Sequence, residues 1–144
     1  MKIIFLDVDG VLNCSETQIR LKTKRLGIDP FLVGRFVRIL KATGAKVVLS
    51  STWRLWSYWR DVMKENGLPV DEFLGATPYL AQRPRGEEIH RWLKDHTDPK
   101  VEKYCVLDDE RDFLMGQQLF QTTWKKGLTD EIADRVIKYL NNDG

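Results

Sequence analysis

Ile3-Ile4-Phe5-Leu6-Asp7-Val8-Asp9-Gly10 is an apolar run that breaks into two carboxylates two positions apart. An uninterrupted apolar run closed by a turn signal predicts a strand buried on both faces of a parallel sheet. Asp7 then stands at the carboxyl end of that strand, where open α/β sheets form their ligand crevice. If the chain stays extended for two more residues, Asp7 and Asp9 project to the same side. Two acids held that closely repel, so they need a cation, a shared proton or separate roles. A DxDG start also opens a calcium loop, but that loop needs glycine at its sixth position and an acid at its twelfth. Leu12 and Gln18 stand there, so the calcium reading fails.

Strand and helix signals alternate along the rest of the chain. Residues 13–29 read as a polar connection, and Asp29-Pro30 as an N-cap followed by proline at the first helical position. Leu32, Val33, Phe36, Val37 and Leu40 recur at helical spacing until Gly44 stops the helix. Val47-Val48-Leu49 is a short buried strand ending at Ser50. A second helix is predicted over residues 54–66, with Leu55, Trp59, Val62 and Met63 on one face. Glu72–Ala76 is a weaker strand, and a third helix starts near Gly86 with Glu87 and Glu88 in its first turn. Tyr104-Cys105-Val106-Leu107 is another buried strand that runs into Asp108-Asp109. Leu119–Trp124 is a last strand candidate, and Thr129 caps a closing helix bearing Ile132, Val136, Tyr139 and Leu140. The alternation predicts an α/β fold, a three-layer sandwich around a mostly parallel, Rossmann-like sheet, as a single domain over residues 1–144.

Composition narrows the function classes. Hydrophobic residues make up 42% and charged residues 31%, the balance of a folded globular protein. A net charge of +2 does not by itself call for a polyanionic partner. No apolar stretch reaches the length of a membrane span, and no basic-then-apolar leader precedes the first strand, so no membrane partner is expected. Cys14 and Cys105 have neither metal spacing nor a disulfide pattern, which suits a reduced, cytoplasmic setting. His90 and His96 have no zinc partner and read as surface or packing residues.

Three strand ends therefore carry polar groups: Asp7 with Asp9, Ser50, and Asp108 with Asp109. In a doubly wound sheet these ends meet if their strands are neighbours. Converging carboxylate oxygens suit Mg²⁺, which takes a few carboxylates together with waters and a phosphate. A hydroxyl at Ser50, or at Ser51 beside it, can donate to a phosphoryl oxygen. Arg83-Pro84-Arg85-Gly86 supplies two guanidinium groups just before a helix, and a planar fork of donors matches phosphate. Arg54 is a further candidate for a substrate phosphate.

DVDGV, VVLSS, RPRGEEI and VLDD, in that order over residues 3–112, resemble the four signature motifs of the haloacid-dehalogenase-like (HAD) phosphatase superfamily. The subgroup they look most like is the HAD domain of Swiss Army Knife RNA-repair proteins. That domain is similar in outline to the phosphatase half of polynucleotide kinase–phosphatases. The resemblance implies that Asp7 is a nucleophile forming an aspartyl-phosphate. It makes Asp9 the acid and then the base, with its backbone carbonyl on the metal. Ser50 would hold a phosphoryl oxygen, and Arg85 would stand where the family usually has lysine. It implies metal ligation by Asp7, Asp9, Asp108 and Asp109, in two registers: Asp109 as the direct ligand, or Asp108 paired with Asp112. A receiver-type phosphoacceptor would place its acidic pair ahead of the phosphorylated Asp, the reverse of the order here.

The substrate is constrained by what the chain has no room for. Cap domains of the superfamily enter after the first motif or between the second and third. Here the first gap allows only a short flap over residues 13–28, and the second already holds a helix and a strand. An uncapped crevice admits the end of a large chain. Four cations in Arg20–Arg25 and the aromatic group Trp53, Trp56, Tyr58 and Trp59 could then grip a strand. About half of that aromatic group is expected in the core. The leading expectation is a Mg²⁺-dependent phosphatase acting on a terminal phosphate, most plausibly the 3′ end, of a DNA or RNA strand, with Ser51, Arg54 and Arg83 as substrate contacts. The alternatives are a nucleotide or small-metabolite phosphatase, and a phosphate-binding scaffold without turnover.

Overall fold

Strand alternation sorts the side chains into two cores, one on each face of a single sheet. The computed structural model describes residues 1–22 and 27–142. Within them, β1 (Lys2–Leu6), β2 (Lys46–Leu49), β3 (Phe73–Ala76), β4 (Lys103–Asp108) and β5 (Leu119–Gln121) pair in the order β3-β2-β1-β4-β5, every pair parallel. Five helices flank the sheet: α1 (Thr17–Leu21), α2 (Pro30–Thr43), α3 (Trp59–Glu65), α4 (Arg85–Asp95) and α5 (Asp130–Asn141). Ile4, Leu6, Val47, Leu49, Cys105 and Leu107 face one way, into a core shared with α2, α3 and α5. Ile3, Phe5, Val48 and Val106 face the other way, against Ile89 and Trp92 of α4. These are the three layers of an α/β sandwich. The β1 residues Ile3 to Leu6 are fully buried because both faces are covered.

The order of strands puts the ligand crevice at β1. The chain moves outward from β1 through β2 to β3, then crosses α4 to return on the other side of β1 as β4. That reversal leaves a gap at the carboxyl ends of β1 and β4, the usual place for a ligand in an open parallel sheet.

Helix boundaries follow their caps. Asp29 accepts a hydrogen bond from the Phe31 amide with Pro30 at the first position, and Gly44 (φ +70°) ends α2. Thr129 accepts from the Ile132 amide to start α5. Two segments differ from the sequence reading. Residues 13–29 contain a short helix, α1, tied down by the buried Asp29, which accepts from Thr17 and pairs with Arg20. The helix expected over 54–66 is split. Residues Thr52–Leu55 form a 3₁₀ turn, Trp56 is extended (φ −80°, ψ 126°), and α3 begins only at Trp59. Leu55 is consequently exposed rather than on a buried face, while Met63 is buried as expected. Of the basic stretch Arg20–Arg25, Arg20 is engaged by Asp29 and Glu16, and Thr23, Lys24 and Arg25 lie outside the described residues. No described helix is long and apolar enough to cross a membrane.

Candidate active site

The period of two along each strand turns a core row into a polar row. Phe5, Val48 and Val106 lie on the α4 face of three adjacent strands, paired Phe5 with Val48 and Phe5 with Val106. Two residues further on, the same positions read Asp7, Ser50 and Asp108. The ladder continues far enough to hold them. The Asp7 amide donates to the Leu107 carbonyl at 3.0 Å and the Ser50 amide to the Leu6 carbonyl at 2.8 Å. Asp7 is thus flanked by a hydroxyl on one side and a carboxylate on the other, under the first turn of α4.

Arg85, the first residue of α4, closes this row from above. Its Nη1 lies 3.1 Å from Asp7 Oδ2 and 2.6 Å from Asp108 Oδ2. Asp109 joins from the turn after β4, and one ligand oxygen from each of Asp7, Asp108 and Asp109 lies within 4.8 Å of the others. Three acids thus cluster where one guanidinium contacts two of them, Asp7 and Asp108. Burial, reinforced by the charge of Asp108, pushes the Asp7 carboxyl up from 3.8 to about 8, against the opposing pull of Arg85. Burial and Asp108 likewise raise Asp109 to about 6. A pocket that penalises its own carboxylates in this way has the donor set and the charge deficit for a hard divalent cation.

Asp9 is held by its own set of contacts. The chain stays extended only through Val8 and then turns, with the Val11 and Leu12 amides both donating to the Val8 carbonyl. The Asp9 carboxylate is therefore set by this turn and by two side-chain donors rather than by continued extension of the strand. Asn13 Nδ2 donates to its Oδ1 at 2.9 Å, and Trp53 Nε1 donates to its Oδ2 at 3.1 Å. Asn13 is fully buried and also accepts from the Gly10 amide, so one side chain fixes both the turn and the acid it carries. Gly10 has φ +84°, and a Cβ there would run into the Asp109 carboxyl; the turn and Asp109 pack directly on each other.

The hydroxyls and the remaining cations divide between framework and crevice. Ser50 Oγ and Thr77 Oγ1, each at the carboxyl end of its strand, are buried without a hydrogen-bond partner. Thr77 continues the ladder beside Ser50, its amide donating to the Leu49 carbonyl. Ser51 caps the 3₁₀ turn by accepting from the Trp53 amide. Arg54 donates to the carbonyls of Ser50, Ser51 and Thr77 and pairs with Glu88 at 3.0 Å, both side chains only 5% exposed. Glu88 in turn accepts from the Leu80 amide. This pair ties α4 to the loops after β2 and β3. Arg83 is exposed and reaches Glu87 at 3.3 Å.

The start of α4 is fixed from the β4 side. Asp112 accepts from the Arg85 amide at 3.1 Å, and its carbonyl accepts from the Gly86 amide. A Cβ on Gly86 would lie 2.6 Å from the Leu114 amide nitrogen, so glycine lets the loop press against the helix and hold Arg85 over the acids. Asp112 is thereby a positioner of α4. Asn13 and Thr77 escaped the sequence reading, Trp53 was read there only as one of an aromatic group, and Glu88 only as a first-turn acid of the helix. Only Asn13, four residues after Asp9 in the same turn, carried a local signal.

Over residues 3–133 the chain matches the family described as the HAD domain in Swiss Army Knife RNA repair proteins, and it belongs to that family. No curated protein matches it.

Proposed function

We propose that this HAD domain is a Mg²⁺-dependent phosphomonoester hydrolase that removes a terminal phosphate, most fittingly at the 3′ end, from a polynucleotide. The carrying observation is a carboxylate cluster with a surplus of negative charge around Asp7, beside a buried Ser50 hydroxyl with no protein partner. Such a pocket suits a phosphoryl group that arrives with a divalent cation. Asp7, Asp108 and Asp109, with the Asp9 carbonyl, would hold Mg²⁺, which offsets charge on Asp7 and on the phosphoryl oxygens.

The chain's own residues divide the reaction. An Asp7 carboxylate oxygen attacks phosphorus, the bond to the ester oxygen breaks, and the leaving oxygen takes a proton from Asp9. Water then attacks phosphorus in the aspartyl-phosphate, gives its proton to Asp9, and inorganic phosphate departs as Asp7 is released. Splitting an inert bond cleavage in two lowers each barrier. Ser50 donates to one phosphoryl oxygen, and Arg85 balances charge on Asp7 and on the transferring group. Arg83, exposed two residues before Arg85, would meet phosphates beyond the reacting one.

The family's association with RNA repair and the exposed aromatic side chains that follow the carboxyl ends of the strands favour a polynucleotide end over a free metabolite. Two buried, unpaired cysteines suit a reducing, cytoplasmic compartment. Phosphate release from 3′-phosphorylated and 5′-phosphorylated oligonucleotides, mononucleotides and glycerol phosphate, with Mg²⁺ and with chelator, tests the reading. The expected result is Mg²⁺-dependent turnover with lowest KM for the 3′-phosphorylated oligonucleotide. Equal efficiency on mononucleotides would move the assignment to a small-substrate phosphatase. Phosphate binding without turnover would make the domain a scaffold.

A further inference from the structure

The 3₁₀ turn after β2 carries an aromatic path that starts at the acid. Trp53 donates its indole N–H to Asp9 at 3.1 Å. Its ring lies 5.1 Å from that of Trp56, which lies 6.1 Å from Tyr58 with the two planes only 11° apart. Trp53 packs against the core, but Trp56 is 44% and Tyr58 57% exposed. Residues two apart on a helix do not face each other, so this parallel pair exists because Trp56 is extended and delays α3. Two large rings are thus left in solvent by a break in helical structure, when continuing the helix would have separated them.

The position of the path says what it meets. In the proposed reaction Asp9 protonates the leaving oxygen, so a ring bonded to Asp9 lies on the leaving-group side. The exposed aromatic residues among those described (Phe31, Trp56, Tyr58, Tyr79 and Trp124) all lie at this end of the sheet. Four follow the carboxyl end of a strand, and Phe31 opens a helix that returns from it. A leaving group with a flat aromatic face fits, and in a polynucleotide that group is a nucleoside whose base is free to stack.

We infer that Trp53, Trp56 and Tyr58 form a leaving-group subsite that stacks the unpaired nucleobase next to the phosphate being removed. The inference rests on the phosphatase reading and adds to it that a single-stranded end carrying its base is the preferred substrate. Stacking of this kind tolerates any base, because each presents a π-face.

Three substrates test it: a single-stranded 3′-phosphorylated oligonucleotide, the same strand with an abasic terminal nucleotide, and glycerol phosphate. They are compared on wild-type protein, the double variant Trp56→Ala/Tyr58→Ala and Trp56→Phe. The double variant should lose on the order of tenfold in kcat/KM on the base-bearing strand. It should be unchanged on the other two, and Trp56→Phe should keep most of the wild-type value. Equal losses on all three, or no loss, would overturn the inference. Wild-type protein that hydrolyses glycerol phosphate but gains nothing from a terminal base would also overturn it, leaving the phosphatase reading intact. If wild-type protein hydrolyses none of the three, the phosphatase reading falls. Tryptophan fluorescence then judges the subsite alone: saturable quenching by unphosphorylated single strand, absent in the double variant, supports it, and no quenching overturns it.

Discussion

Asp7 carries a cost that only its function explains. Its carboxyl is pushed up from 3.8 to about 8, first by burial and then by Asp108. Between those values the folded protein holds a proton that the unfolded chain releases. Metal-free stability therefore falls as pH rises through that window. Thermal melts in chelator should show Tm declining from pH 5 to pH 8, and Asp7→Asn should flatten the decline while abolishing phosphate release. Added Mg²⁺, by binding the ionised acids, should raise Tm more at pH 8 than at pH 5. Trp53 gives a second prediction at this scale. Trp53→Phe keeps the ring and removes the donor to Asp9 Oδ2. Steady-state kinetics on glycerol phosphate should show kcat reduced about tenfold with KM little changed, since general acid–base catalysis contributes roughly 100-fold or more. An unchanged kcat would mean that the Asp9 orientation does not depend on the indole.

The elements hold these residues through a few contacts that cross the molecule. Glu88 on α4 and Arg54 on the 3₁₀ turn are buried together, and Arg54 also binds the carbonyls of Ser50 and Thr77. Glu88→Ala strands a buried guanidinium and should cost about 3–5 kcal/mol in denaturant melts. Gly86→Ala forces α4 off the 112–117 loop. It should cost about 1–3 kcal/mol and reduce turnover through Arg85, read as a lower Tm and a lower kcat on the same preparation. Elements whose signals are local were legible in the sequence: α2 and α5 from their caps, β1, β2 and β4 from apolar runs ending in polar residues. The onset of α3 was not, because stacking of Trp56 on Tyr58 and the Ser51 cap outweigh a helical pattern that otherwise continues. The α1 helix was missed because its anchor, Asp29, reads locally as the cap of α2 alone.

For the whole molecule, parallel order and the period of two convert three separate sequence positions into one site. That is why Asp7, Ser50, Asp108 and Arg85 could be proposed from strand and helix ends, whereas Trp53 and Asn13 as holders of Asp9 could not. Their role depends on a turn that begins at Val8, one residue earlier than continued extension would allow. Because net charge is only +2, any grip on a strand is local to the crevice. Raising salt should weaken kcat/KM for oligonucleotides while leaving glycerol phosphate nearly unaffected. The most direct measurement is the location of the phosphoryl group during turnover, by borohydride trapping of the acyl-phosphate and mass-spectrometric mapping. Reduction product at position 7, absent in Asp7→Asn, is the predicted result; a trapped adduct on any other side chain would contradict the assignment of Asp7 as the nucleophile.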